Sequence, residues 1–139
     1  MRIAYHELGL DSTSLIFKAT RPVFMKHVRV HIYKHLAPAG SIVMQLCDRN
    51  NVIQLASATV SMSSISSANY FHGLVKFDLQ YPLRANTEYY LVMNSSGYSY
   101  DPNAFIGWVL ADSLQNNNGA AAASLHFELW EEKNLIRGI

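Results

Sequence analysis

The stretch LRANTEYYLV, residues 83–92, constrains the fold of this chain more than any other. An apolar anchor at Leu83 leads into a short polar turn and then into an aromatic-rich run. Asn86 suits the turn, because its side chain can bond its own backbone and it tolerates left-handed geometry. Beyond the turn, Thr87, Tyr89 and Leu91 fall on one face of an extended chain, and Tyr90 and Val92 on the other. β-Branched and aromatic side chains favour a pleated, packed surface. Apolar groups on both faces predict a central strand covered on both sides, with Leu83 plugging the core where the strand begins. That order suits a β-sandwich rather than an enzyme active site.

Alternation with a period of two runs through the rest of the chain. Over residues 24–36, Phe24, Val28, Val30, Ile32 and Leu36 share one parity. Met25, His27, Arg29, His31, Tyr33 and His35 share the other. This predicts one long strand with one buried face. Pro38 and Gly40 then mark a turn, and residues 41–47 place Ile42, Met44 and Leu46 together. Asp48, Arg49, Asn50 and Asn51 form a polar connection that suggests a hairpin into residues 52–60. Residues 61–69 are Ser-rich and read as a surface loop with room for one helical turn.

Residues 71–79 set Val75, Phe77 and Leu79 against Lys76 and Asp78, and Pro82 interrupts the run because it cannot donate to a ladder. After a polar, Tyr-bearing loop at 94–103 come a strand at 105–111, a longer loop at 112–122 and a last strand at 124–130. In that last strand Leu125, Phe127 and Leu129 alternate with His126, Glu128 and Trp130. Residues 3–8 and 15–19 bring the total to about eight or nine short strands with no helical stretch between them, the pattern of an all-β antiparallel sandwich. We read residues 1–139 as one domain. Its tail, residues 131–139, is charged and then apolar at Leu135, Ile136 and Ile139, as a docking segment would be.

Composition narrows the function classes. A chain of 139 residues can bury about two-thirds of its unfolded surface and needs neither disulfide nor metal to fold. Half of the residues are apolar and 15% are charged, which excludes a disordered tail. The net charge is +1 with no block of like charges, so nucleic acid is not an expected partner. Cys47 is alone, which rules out a disulfide framework and a cysteine zinc site. No secretory h-region opens the chain and no run of about 18 apolar residues occurs, so neither export nor a membrane partner is expected. We therefore expect the protein to be made in a host cytoplasm and not to leave by the usual export route. The Asn94-Ser95-Ser96 glycosylation pattern carries no weight without export.

Strand order and motif together resemble a jelly-roll sandwich of carbohydrate-binding-module type. They are similar to the choice-of-anchor β-sandwich domains and to related accessory domains of bacteriophage virions. The matching residues are Val28, Val30 and Ile32; Ile42 to Leu46 on the next strand; Leu83, Ala85, Thr87, Tyr89, Leu91 and Val92; and Trp108. The resemblance spans roughly residues 17–130 and marks the fold rather than the ligand. It implies a small virion structural protein, either a capsid decoration (cement) protein or a tail or baseplate accessory.

Two places carry candidate contacts. His27, Arg29, His31 and Tyr33 form a mixed aromatic and basic face suited to a partner. Histidines four apart would stack on a helix, but on a strand they lie about 13 Å apart. Metal bonds of about 2 Å cannot bridge that, so no metal site is expected there. The second place is the loop holding Tyr98, Tyr100, Asp101 and Asn103, whose rings could stack on a sugar and whose polar groups could bond its hydroxyls. Against this, tyrosines in such a loop also serve to cover a sandwich end. No cofactor is implied. Asp101 and Asp11 lack the acidic company that calcium needs.

No paired carboxylates, nucleophile elbow or phosphate loop are visible, so no catalytic residue is assigned and a non-enzymatic role is expected. Sparse charge on long strands predicts a homo-oligomer, or a protein laid on a larger assembly of other virion proteins. The alternative to a virion structural role is a carbohydrate-binding module reading surface glycans through the aromatic loop.

Overall fold

The alternation becomes strands wherever one parity can be buried. A computed structural model describes residues 4–50, 53–66, 70–110 and 125–137. In chain order the strands are β1 (Tyr5–Glu7), β2 (Thr13–Ala19), β3 (Val23–Met25), β4 (His27–His35), β5 (Ala39–Asp48) and β6 (Gln54–Ser61). There follow β7 (Phe71–Phe77), β8 (Tyr81–Leu83), β9 (Thr87–Asn94), β10 (Tyr98–Ser99), β11 (Phe105–Val109) and β12 (Glu128–Trp130). One 3-10 turn, Met62–Ser64, sits between β6 and β7, capped by the Ser61 side chain. The expected loop at 112–122, together with Ile3, Asn51, Val52, Ala111, Ser124 and Ile139, lies outside the described residues.

All strand pairs are antiparallel, and the fold is an all-β sandwich. In the first sheet β7 runs along one edge of β4 from Val28 to Lys34. The other edge of β4 is therefore shared: β11 takes Ile32 to His35 and β12 takes His27 to Arg29. β1 closes that side against β11. The second sheet runs β6, β5, β9, β2, with β10 beside the start of β5. β3 and β8 form a separate two-stranded ribbon. Reduced to the eight strands β1, β2, β4, β5, β6, β7, β9 and β11, the orders are first-eighth-third-sixth and second-seventh-fourth-fifth.

The core lies between the sheets. Val28, Val30 and Ile32 of β4 meet Ile42, Met44 and Leu46 of β5 and Tyr89, Leu91 and Met93 of β9, all buried. Burial of such side chains contributes roughly 1.5–3 kcal/mol each before entropy is counted. Leu83 is buried where β9 is approached, and Asn86 takes the left-handed φ of 55° that the turn requires.

Three expectations are corrected. Residues 24–36 are not one strand. Met25 is buried and Phe24 is 46% exposed, the reverse of the β4 parity. The phase slips at Lys26, whose N–H goes to Trp130 O at 2.8 Å, and a one-residue slip exchanges the faces. Leu36, with φ 59°, ends β4 instead of extending its buried face. β9 is central, but its Tyr90 and Val92 face is only half-buried; the strand buried on both faces is β11, all five residues of it. The run begun at Phe71 is interrupted before Pro82 as expected, with β7 ending at Phe77, and Pro82 then pairs elsewhere. It stands opposite Phe24 in the β3–β8 ribbon, where a strand with no neighbour on its other side among the described residues loses nothing by lacking an N–H.

The last strand is shorter than expected. Leu125 bridges Leu110, Glu128–Trp130 pairs with β4, and residues 126 and 127 fall between. Beyond it the chain turns back on its own domain. Glu131 N–H bonds Asn134 O, Ile136 N–H bonds Leu129 O, and Ile136 is buried.

Candidate functional site

β4 exposes its odd residues on the outer face of the first sheet, and its register decides what surrounds them. Arg29 lies beside Lys76 and Glu128, His31 beside Leu74, Tyr33 beside His72 and Gly107, and His35 beside Phe105. Alternation on β4 and β7, with the segment just before β12, therefore gathers five of the chain's six histidines on one face: His27, His31, His35, His72 and His126.

The face is tiled with rings. Tyr5 stacks on Tyr33 with centroids 4.8 Å apart. It can lie there because Gly107 beneath has no side chain; a Cβ at that position would collide with the Tyr5 ring. Tyr33 Oη meets His35 Nδ1 at 3.0 Å, and His35 packs on Phe105 and against the edge of Tyr70, each at 4.9 Å. His31 stacks on His72 at 5.7 Å. At the far end Trp130 covers His27, with centroids 5.6 Å apart, and Arg29, whose guanidinium carbon stands 4.1 Å above the indole. Arg29 Nε donates to His27 Nε2 at 3.2 Å, so the His27 proton belongs on Nδ1.

The gap between β11 and β12 is filled by a side chain. His31 N–H, which would otherwise seek a strand partner there, donates to His126 Nδ1 at 3.1 Å. The other ring nitrogen of His126 then carries the proton and donates to Glu128 at 3.2 Å. Trp108 Nε1–H donates to His126 O at 2.7 Å and anchors the same segment from the core side.

This environment disfavours charge on the central histidines. Burial, and then the neighbouring His126 and His72, holds His31 below the usual histidine range. Its Nε2 is buried without a hydrogen-bond partner. Burial, with Lys76 and Arg29 nearby, lowers His27 as well. Burial raises the Tyr33 phenol. Among the described residues no group of three or more His, Cys, Asp or Glu is arranged to hold a metal ion.

Of the four residues singled out on this strand, Arg29, His31 and Tyr33 are half-buried and His27 is buried beneath Trp130. The face is thus partly plated by its own side chains. It still shows large apolar side chains to solvent, with Tyr5 36% exposed, Tyr70 56% and Leu74 48%, alongside the exposed His72 and Lys76.

The loop at 94–103 is built differently from the sugar-stacking platform its residue types suggest. Tyr98 is buried. Its hydroxyl donates to Leu8 O at 3.1 Å and accepts Ile106 N–H at 2.8 Å, and burial pushes its pKa up to about 12. Tyr100 donates to the Glu7 carboxylate, which raises its own pKa. Asp101 Oδ1 accepts the Asn103 N–H at 2.7 Å and shapes the tip. Tyr100, Asp101 and Asn103 remain at the surface, but Tyr98 belongs to the core. Cys47 is buried, and burial raises its thiol pKa, away from nucleophilic character.

Sequence reasoning missed Lys34. It shares the parity of Val30 and Ile32 and is buried, with Nζ donating to Met62 O, Ile65 O and Ser66 O at 3.1–3.3 Å. It closes the carbonyl end of the 3-10 turn. A lysine on the apolar parity of a strand is the signal that could have found it. Comparison with protein-family models, with curated proteins and with solved structures gave no match.

Proposed function

We propose that this chain is a non-enzymatic structural protein that lays the outer face of its first sheet on a neighbouring protein subunit. The observation that carries this reading is the tiled face itself. Tyr5, Tyr70 and Leu74 expose large apolar area around the half-buried His31, whose neutral form is favoured. Protein interfaces are enriched in aromatic residues and arginine and depleted of charge at their centre; this face supplies the rings and Arg29, and its other charges, Lys76 and Glu128, sit together at the Arg29 end. The ring stacking and the His31–His126 bond hold the side chains in place before binding, which lowers the entropy cost of association.

The setting we propose is a bacteriophage virion, with the chain as a capsid decoration protein or a small tail or baseplate accessory. Support for this is the sequence resemblance, together with the strand order. A succession of first-eighth-third-sixth and second-seventh-fourth-fifth is the order that two Greek keys give in a jelly roll. The bonds made by Tyr98 and Tyr100 count against stacking glycan on the 94–103 loop.

The test compares particles assembled with and without this protein for heat stability and adsorption. Loss of either, reproduced by Leu74→Glu on the face, supports the reading. Unchanged stability and adsorption retire it. Glycan-array binding abolished by Tyr100→Ala would put the carbohydrate-binding reading in its place.

A further inference from the structure

We propose that β6 is a pairing edge and that its occupant is β6 of a second copy of this chain, joined antiparallel across a twofold axis. Among the described residues the outer edges of the two larger sheets, β1, β7, β2 and β6, are not alike. β1 is three residues long, β2 carries Lys18, and β7 carries Gly73 and Lys76. Short strands and lysines are the devices by which proteins keep edges unpaired. β6, QLASATVS, has eight residues, no charge and no proline.

The backbone phase shows what it offers. Asn94 pairs with Val43 and Tyr98 with Gly40, so β9 and β10 follow one edge of β5, and Ser41 N–H points that way, to Gly97 O at 2.8 Å. Direction alternates along an antiparallel ladder. The even residues of β5 therefore bond Val60, Ala58 and Ala56, and the N–H and C=O groups of Ser57 and Thr59 face outward. Ser61 is in the same phase, and its outward C=O is already taken by Ser64 Oγ at 2.7 Å. Among the described residues, pairing is thus stopped at one end and open along the middle.

The side chains agree. Ala56, Ala58 and Val60 face the core but stay partly exposed, whereas their partners Leu46, Met44 and Ile42 on β5 are fully buried. A strand added at this edge would cover that row and satisfy the free backbone groups together. A second copy fits because the edge is self-complementary. Related by a twofold axis, each outward N–H meets a C=O, small residues meet small residues, and no like charges are brought together. The inference does not depend on the face of the first sheet, and either can fail alone.

Sedimentation of the full chain at micromolar concentration tests it. The expected result is a dimer whose Kd rises at least about tenfold in Thr59→Pro, which removes an outward N–H that the fold does not use. Thr59→Lys leaves the backbone intact and should weaken the dimer in the same way, so it decides the matter if the proline variant does not fold. A monomeric wild type, or a dimer that survives Thr59→Lys with unchanged Kd, overturns the proposal.

Discussion

The ring of His126 stands in for a missing strand residue beside His31: its Nδ1 takes the His31 backbone N–H at 3.1 Å, in the seam where β11 has ended and β12 has not begun. The seam is a weak point by construction, since a central strand loses a ladder partner there. One side chain spans it and binds Glu128 through its other nitrogen. His126→Phe keeps the ring volume and removes the acceptor. We expect it to cost about 1–3 kcal/mol, the penalty for stranding a poorly solvated N–H. Urea unfolding followed by far-UV circular dichroism reads this; an unchanged midpoint would mean that water replaces the imidazole.

Acid should loosen the same face. The His31 and His27 pKa values are lowered in the folded state, by burial first, from an unfolded value of about 6.5. Below that value the unfolded chain binds more protons than the folded one, so stability rises with pH across the window. It is complete above about pH 6.5 and is lost as pH falls through the lowered values. The urea midpoint should therefore drop between pH 7.5 and 5.5, before most carboxylates titrate. His31→Phe should flatten the profile at no cost at pH 7.5, because His31 Nε2 has no hydrogen bond to lose. An equally steep profile in that variant would place the titration elsewhere.

The fold was legible because burial follows parity. Val28, Val30 and Ile32 show on the sequence what they do in the structure, and Leu83 with Asn86 predicts both a core plug and a left-handed turn. What parity hides is phase. Nothing in the order Met25, Lys26, His27 announces the slip that buries Met25 and exposes Phe24, because the slip is set by Lys26 pairing with Trp130, far along the chain. The candidate face was half legible for the same reason. His27, Arg29, His31 and Tyr33 are adjacent in one strand. Their covering partners Tyr5, His72, His126 and Trp130 come from four other segments and meet only through register. The tyrosine loop left both roles open, because residue type does not reveal whether a hydroxyl faces solvent or bridges two buried backbone groups.

Lys34 tests how the 3-10 turn is held. Its ammonium is the donor for three carbonyls at the exit of Met62–Ser64. Lys34→Met keeps the apolar stem and deletes the donor. Hydrogen bonds from a charged group contribute about 1.5–3 kcal/mol, and we expect a loss of that size. Proteolysis near residues 62–66 should also accelerate more than the global loss explains, because the turn is released locally. A variant as stable as wild type would show that the carbonyls are satisfied by solvent.

Tyr98 is the sharpest discriminator between core and ligand roles. Its hydroxyl joins Leu8 O to Ile106 N–H, tying the segment after β1 to β11. Tyr98→Phe leaves the ring and strands both backbone groups, so stability should fall by about 1–3 kcal/mol. The pH dependence carries a second signature. The folded pKa is about 12, against an unfolded value of about 10, so the folded state holds the proton longer. The contribution is complete below about pH 10 and is lost as pH climbs through 12, and the Phe variant should lack this component of the alkaline decline. A tyrosine serving a sugar would behave otherwise: Tyr98→Phe would leave the urea midpoint in place at every pH and change only binding.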